Sequence, residues 1–411
     1  MSNPMGPYDA LKIRDFRFFV ATRFCVTLAI QIQSVVVAFQ VYTLTHDPFS
    51  LGLIGLSEAL PSITVSLYAG HVADVLERKK IIVACISTLL FCSSCLLLFS
   101  SDLGNHIIDN GVFPIYAVIF ISGIARGFLS PAIFSFMPQL VPRDLYTNAV
   151  TWNSTLWETA SITGLALGGF LFAIGLNTAY TIDVALTLAA LVLILMVANK
   201  PVPPSTTEEG VREKIKAGLR FVFQNKIILS AISLDLFAVL FGGAVALLPI
   251  FADEILKVGS VGLGFLRAAP STGALMMAFY ITHNPIQRNV GKKLFLAVAG
   301  YAVCMMMFAL SRNFWLSLSI LVLSGAFDCV SVIIRATLLQ TLTPENMKGR
   351  VSAVNNIFIG SSNELGMFYS GTSARIFGAV RAVIIGSCVS LSVVGVTAWA
   401  SKSLRRLQKL H

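Results

Sequence analysis

Five ionisable residues stand where charge is costly. Arg23, Arg126, Asp235, Asp328 and Arg335 each interrupt a long apolar run. In hydrocarbon such a group costs a few kcal/mol or more, so each is a functional hypothesis by default. A carboxylate there can exchange a proton, whereas a guanidinium keeps its charge and holds an anion. The alternative is an ion pair that only ties helices together. Gln33 and Gln40 are seven residues apart and share one helical face. They either contact a polar substrate or hydrogen-bond to a neighbouring helix. Glu58, Glu158, Arg267 and Glu364 interrupt further apolar runs, and Thr151, Ser154, Thr155 and Ser161 make a polar stripe around Glu158.

Several chemistries are excluded. There is no G-x-x-x-x-G-K-[ST] loop to cradle a nucleotide and no H-E-x-x-H zinc motif. No grouping of nucleophile, base and oxyanion donors appears, and no metal cluster. The chain therefore reads as a non-enzyme without cofactors, and an ion gradient, here of protons, is the remaining energy source. All seven cysteines lie in apolar segments, where a thiol stays protonated. The Cys92-x-x-Cys95 pair reads as small-residue packing.

The elements that must position these residues are membrane spans. Of 411 residues, 56% are hydrophobic and 12% charged, about half the charge density of a soluble domain, which is about 25%. About 20 apolar residues cross about 30 Å of hydrocarbon. Runs of that kind fall at 17–42, 51–71, 81–100, 114–139, 148–175 and 179–198, then at 228–252, 261–282, 293–311, 314–338, 351–376 and 380–400. Turn chemistry separates them, as at His46-Asp47-Pro48 and Pro142-Arg143-Asp144. The first run is too long for a cleavable signal and no small-residue cleavage site follows it.

Charge sets the orientation. Of 30 Lys and Arg, 22 lie in the N-terminus, the even-numbered loops and the C-terminus, and three, Lys257, Arg312 and Arg381, lie in odd-numbered loops. Both termini are thus expected on the cytoplasmic side of the cell's inner membrane. The net charge of +10 belongs to this topology, not to nucleic-acid binding. Residues 199–227 form a polar linker between segments 1–198 and 228–411. In it Val211, Ile215, Leu219 and Val222 recur at helical spacing, predicting an amphipathic helix on the inner membrane surface.

The two segments repeat each other. A shift of 202 residues aligns Ser122-Gly123 with Ser324-Gly325, Pro142 with Pro344, Asn153 with Asn355, and Gly164 and Gly169 with Gly366 and Gly371. A shift of 209 aligns Gly55, Ala59, Pro61 and Ser62 with Gly264, Ala268, Pro270 and Ser271. Six spans per segment make a parallel repeat, a hallmark of secondary transporters. Gly123 with Gly127 and Gly164 with Gly168 are G-x-x-x-G pairs, read as close helix packing.

Gly70-His71-Val72-Ala73-Asp74 with Arg78-Lys79-Lys80 resembles the loop signature of the major facilitator superfamily, although Val75 and Glu77 depart from it. Phe136-Met137-Pro138-Gln139-Leu140-Val141-Pro142, Tyr180-Thr181-Ile182-Asp183, Pro344 to Val351 and Asn363-Glu364-Leu365-Gly366 resemble the exporter branch that includes the enterobactin exporter and drug efflux proteins. The resemblance implies twelve transmembrane helices in two pseudo-symmetric six-helix bundles, an all-α integral membrane fold. It places Arg23, Gln33, Gln40, Arg126, Asp235, Asp328 and Arg335 on cavity-lining helices, as substrate or proton-coupling candidates. Glu58, Glu158, Arg267 and Glu364 fall on helices that form inter-bundle contacts, as gating candidates. Asp74 with Arg78 becomes a cytoplasmic latch, its alternative being a topogenic charge cluster. Under the 202-residue shift Arg126 and Asp328 are equivalent, and they are expected to face each other across the substrate site.

The function this implies is a monomeric, proton-coupled exporter of a small organic molecule, a siderophore-like metabolite or an amphipathic drug. Alternatives are an importer on the same fold and a membrane sensor or scaffold without transport.

Overall fold

The computed structural model describes residues 8–101, 104, 111–201, 211–284, 288–344 and 347–408, apart from a number of side chains within them, those of Asp74 and Glu364 included. Among the described residues there is no strand, and twelve helices have 17 residues or more. In chain order they are Arg14–Thr45, Pro48–Val75, Arg78–Ser100, Phe113–Phe136, Tyr146–Ile174 and Leu176–Leu195, then Lys226–Gly242, Gly259–His283, Val290–Leu310, Phe314–Leu342, Lys348–Phe377 and Ala379–Ala400. Among the described residues ten spans, one of them prolonging the seventh helix to Ile255, have the length and apolarity to cross a membrane. The eighth and eleventh helices stand where the sequence places spans of those numbers. Large apolar side chains stay exposed along the helices, Phe113 and Trp399 at 78% and Phe134 at 74%. In water this would be a liability, and in lipid it is the solvated surface.

The chain divides into two compact units, Met1–Leu44 with Ser57–Glu208, and Thr45–Leu56 with Glu209–His411. In the first, the third helix packs on the fourth and sixth and the fifth on the sixth. In the second, the ninth packs on the tenth and twelfth and the eleventh on the twelfth. The repeat read from glycines and prolines is thus a repeat of helix contacts. One residue, Gly175, joins the fifth and sixth helices, and one, Gly378, joins the eleventh and twelfth. Their φ values of 156° and 82° are ones that L side chains avoid, so the tight turns require glycine.

Small residues set how closely helices approach. A Cβ at Gly123 would stand 2.6 Å from the Glu58 carbonyl oxygen and 2.8 Å from the Pro61 ring. In the second unit a Cβ at Gly325 would collide with the Pro270 backbone. Gly123 and Pro61 correspond to Gly325 and Pro270 under the two repeat shifts, so each unit has the same crossing. Gly164 and Gly168 likewise meet the Leu28 and Ile32 carbonyls, at 3.0 and 3.1 Å from their ideal Cβ positions.

Two elements differ from the sequence expectation. The seventh span, read as one helix over 228–252, ends its α-helix at Gly242 and continues through a 3-10 turn, Val245–Leu247, and a π turn, Phe251–Ile255. Adjacent Gly242 and Gly243 weaken the helix there. The Ser370 hydroxyl donates to the Gly243 carbonyl at 2.8 Å, so an irregular backbone is satisfied by a side chain. The amphipathic helix exists, as Val211–Gln224. However, Val222, with Leu219 and Phe221, packs on Ile228, Ile232, Val351 and Val354, so this part of its apolar face covers protein rather than lipid.

At the end of the sixth helix, basic and acidic groups tie the first unit together. Lys79 Nζ donates to the Leu195 and Val197 carbonyls at 3.0 and 2.5 Å, placing a cation where the helix dipole is negative. Asp15 accepts from the Ala198 amide at 3.2 Å and pairs with Lys200 at 3.1 Å. In the second unit, Asp47 pairs with Arg375 at 3.8 Å, and Arg375 lies over the Phe49 ring at 5.2 Å. Gly52 and Gly371 cross beside them, an added Cβ at Gly371 standing 2.7 Å from the Gly52 Cα.

Candidate functional site

In the first unit, three candidate residues, Gln33, Glu58 and Arg126, converge with two buried partners, Asp183 and Ser93. Arg126 on the fourth helix forms an ion pair with Glu58 on the second. Gly123 and Arg126 are one helical turn apart, so the close approach that Gly123 permits is what brings the guanidinium to Glu58. Arg126 Nη2 also donates to Gln33 Oε1 on the first helix, at 3.5 Å. Gln33 Nε2 in turn donates to Asp183 Oδ2 on the sixth helix at 3.0 Å, and to Ser93 Oγ on the third at 3.2 Å. A polar chain therefore runs Glu58, Arg126, Gln33, Asp183 through four helices of one unit, with Ser93 joining it from a fifth. Its outer end is accessible, with the Arg126 and Glu58 side chains 18% and 22% exposed. Its inner end is sealed, Asp183 being 1% exposed.

Gln40, the other glutamine on that face of the first helix, accepts from the Tyr180 hydroxyl at 2.5 Å and is buried. Of its two sequence readings, the neighbour contact is the one formed. Arg23 is half-buried on the same helix. Glu158 is exposed on the fifth helix, and no ion pair among the described residues includes it.

The second unit holds a different arrangement. Asp235 on the seventh helix pairs with Arg335 on the tenth, with side chains only 10% and 4% exposed. Asp328 lies seven residues before Arg335 on the tenth helix, about 10 Å along its axis. It is half-buried. Arg267 is half-buried on the eighth helix. Gln33 and Asp235 are equivalent under the 202-residue shift, and each bonds to an arginine of its own unit. Arg126 and Asp328 belong to separate units, and the partner Arg126 has within its unit is Glu58. Glu58, read from the sequence as a gating candidate, and Arg126, read as a substrate candidate, are thus ion-paired with each other.

Arg78 begins the third helix and is half-buried. The Asp74 side chain, the other member of the expected latch, lies outside the described residues, as does that of Glu364. Among the described residues, no group of three or more His, Cys, Asp or Glu is placed to hold a metal ion, and all seven cysteines are free.

Sequence reasoning left Asp183 without a role and passed over Ser93. The signal for Asp183 was present, a carboxylate inside an apolar run. Its partner Gln33 lies 150 residues away, a separation no local pattern reports.

The profile of the transmembrane secretion effector family matches residues 5–409. Enterobactin exporter EntS of Shigella dysenteriae serotype 1 is 26% identical over 344 residues, covering 82% of this chain and 80% of that protein. EntS of Shigella boydii serotype 4 is 27% identical over 347 residues, with the same coverage. Among solved structures, a form of the nucleoside transporter NupG superposes with a TM-score of 0.75 at 13% identity, over 94% of this chain and all of that one. A bacterial homolog of the human lysosomal transporter Spinster, inward-facing and occupied, gives 0.71 at 14% identity, over 98% and 97%. The structural likenesses carry the fold, and the profile spans nearly the whole sequence. The chain belongs to the transmembrane secretion effector family of the major facilitator superfamily, a family of multi-pass membrane transporters.

Proposed function

We propose that this chain exports a small anionic or catechol-like organic molecule across the inner membrane, against the entry of protons. The observation that carries this reading is the accessibility of the Arg126–Glu58 pair. An arginine that keeps its charge in a membrane span, and stays partly exposed, is suited to receive an anion. Its present partner is a carboxylate that an incoming anion would displace. The sealed Asp235–Arg335 pair is closed to a solute, and Asp328 near it is a candidate for proton exchange. Outward direction is supported by relatives named as enterobactin exporters, and cytoplasmic termini by the distribution of basic residues. The substrate class is siderophore-like metabolites, with amphipathic drugs as the neighbouring class.

The test is transport in proteoliposomes under an imposed pH gradient, with iron-free enterobactin and an amphipathic dye as probes. Accumulation of the catechol probe that collapses when the gradient is dissipated is the expected result. Binding without movement would favour the sensor alternative. Movement unaffected by the gradient would remove proton coupling.

A further inference from the structure

The first unit contains a buried acid that export by Arg126 alone does not use. Asp183 is 1% exposed and sits among the first, third and sixth helices. Its described hydrogen-bond donors are neutral, Gln33 Nε2 at 3.0 Å and the Ser93 hydroxyl. The ionisable groups facing it are Tyr180 on its own helix, Cys92 on the third and Arg126 on the fourth, with Glu58 beyond Arg126. A carboxylate so enclosed is costly, and neutral hydrogen bonds offset only part of that cost.

The orientation of Gln33 connects this acid to the accessible arginine. The amide presents its oxygen to Arg126 and its nitrogen to Asp183 and Ser93. That polarity suits an ionised Asp183, because a carboxylate only accepts and a guanidinium only donates. Protonation changes the inventory. A proton taken from the aqueous phase onto an Asp183 carboxyl oxygen makes it a donor, and Gln33 Oε1 can serve as its acceptor. Turning the amide to meet it would point the Nε2 hydrogens at Arg126, donor against donor, and the guanidinium would lose that bond.

We propose that Asp183 is a proton-binding site of the first unit and that the Gln33 amide transmits its charge state to Arg126. The proposal rests on the proton-coupled reading above and adds the acid and the connecting group. Protonated Asp183 frees Arg126 from Gln33, and ionised Asp183 restores the hold. Proton binding at Asp183 and the release of Arg126 from Gln33 thus become linked through one side chain. A purely structural Asp183 would tie three helices together and never change protonation.

Infrared spectroscopy of the reconstituted full-length protein separates these without any substrate. A titrating, buried protonated-carboxyl band is expected in the unmodified protein, with one component missing in Asp183→Asn. Asn keeps the acceptor for Gln33 and so preserves the fold. Asp183→Glu should restore a component at a displaced position. If Asp183→Asn leaves the titrating band unchanged, Asp183 is not a proton site. The relay is tested by Arg126→Gln, which should displace the midpoint of the Asp183 component. In a Gln33→Leu background the same change should displace it several-fold less. Equal displacement in both backgrounds would mean that charge acts through space and would overturn the role of the amide. Failure of export in proteoliposomes, with these spectra as expected, would count against the transport reading and not against the proton site.

Discussion

Asp235 and Arg335 pair across the seventh and tenth helices with almost no access to solvent. Truncating one partner strands the other as an uncompensated charge. We expect Asp235→Asn and Arg335→Met each to destabilise the detergent-solubilised protein by about 3–5 kcal/mol. The double replacement Asp235→Leu with Arg335→Met should recover much of that loss, read as thermal unfolding. If the double variant is as unstable as the sum of the singles, the pair is not the unit of stability.

At the accessible pair the expectation is functional. Arg126→Gln should weaken binding of an anionic catechol probe about 10–100-fold, or about 1.4–2.8 kcal/mol. Glu58→Gln removes the anion that competes for the guanidinium, so binding should hold or tighten. Lys at position 126 should restore only part of the affinity, because it lacks the planar fork. Isothermal titration of the three variants checks the ordering.

Packing makes a separate demand. Gly123→Val and Gly325→Val both drive a side chain into the facing helix, and each should cost about 1–3 kcal/mol or more. Gly395 has open space where a Cβ would go and lies in a helix. Gly395→Ala should therefore be neutral or stabilise by up to about 1 kcal/mol. Thermal unfolding of the set in detergent measures the contrast.

Topology can be checked without function. In a cysteine-free background, Thr207→Cys should resist a membrane-impermeant maleimide in intact cells and react after permeabilisation. Labelling from outside would reverse the orientation drawn from the basic residues.

Most helices were legible because membrane spans announce themselves locally, by apolar length and by Pro or Gly at their ends. The break after Gly242 was not. A Gly-Gly pair inside an apolar run is compatible with a continuous helix until Ser370, on a distant helix, is seen to hold the Gly243 carbonyl. The linker helix was legible in its period, but not in what it covers, since Val351 and Val354 lie far along the chain. At the candidate site the residue types were visible and their pairing was not. Glu58 and Arg126 are 68 residues apart, and only the close approach at Gly123 joins them. Asp183 was visible as an anomaly and became intelligible once Gln33 stood between it and Arg126.

The Gly–Pro crossing that occurs once in each unit also bears on ancestry. Beside the first, Glu58 precedes Pro61 by three residues and Arg126 follows Gly123 by three. Beside the second, Arg267 precedes Pro270 and Asp328 follows Gly325 at the same spacings, with the signs exchanged. A crossing held by a glycine and a proline fixes how near two helices come and is indifferent to the charges they carry. After duplication of a six-helix ancestor, the copies were thus free to trade acid for base without refolding. One half came to carry Arg126 at the position where the other carries Asp328. A protein engineered as two tandem first halves would keep both crossings and lose that exchange of signs.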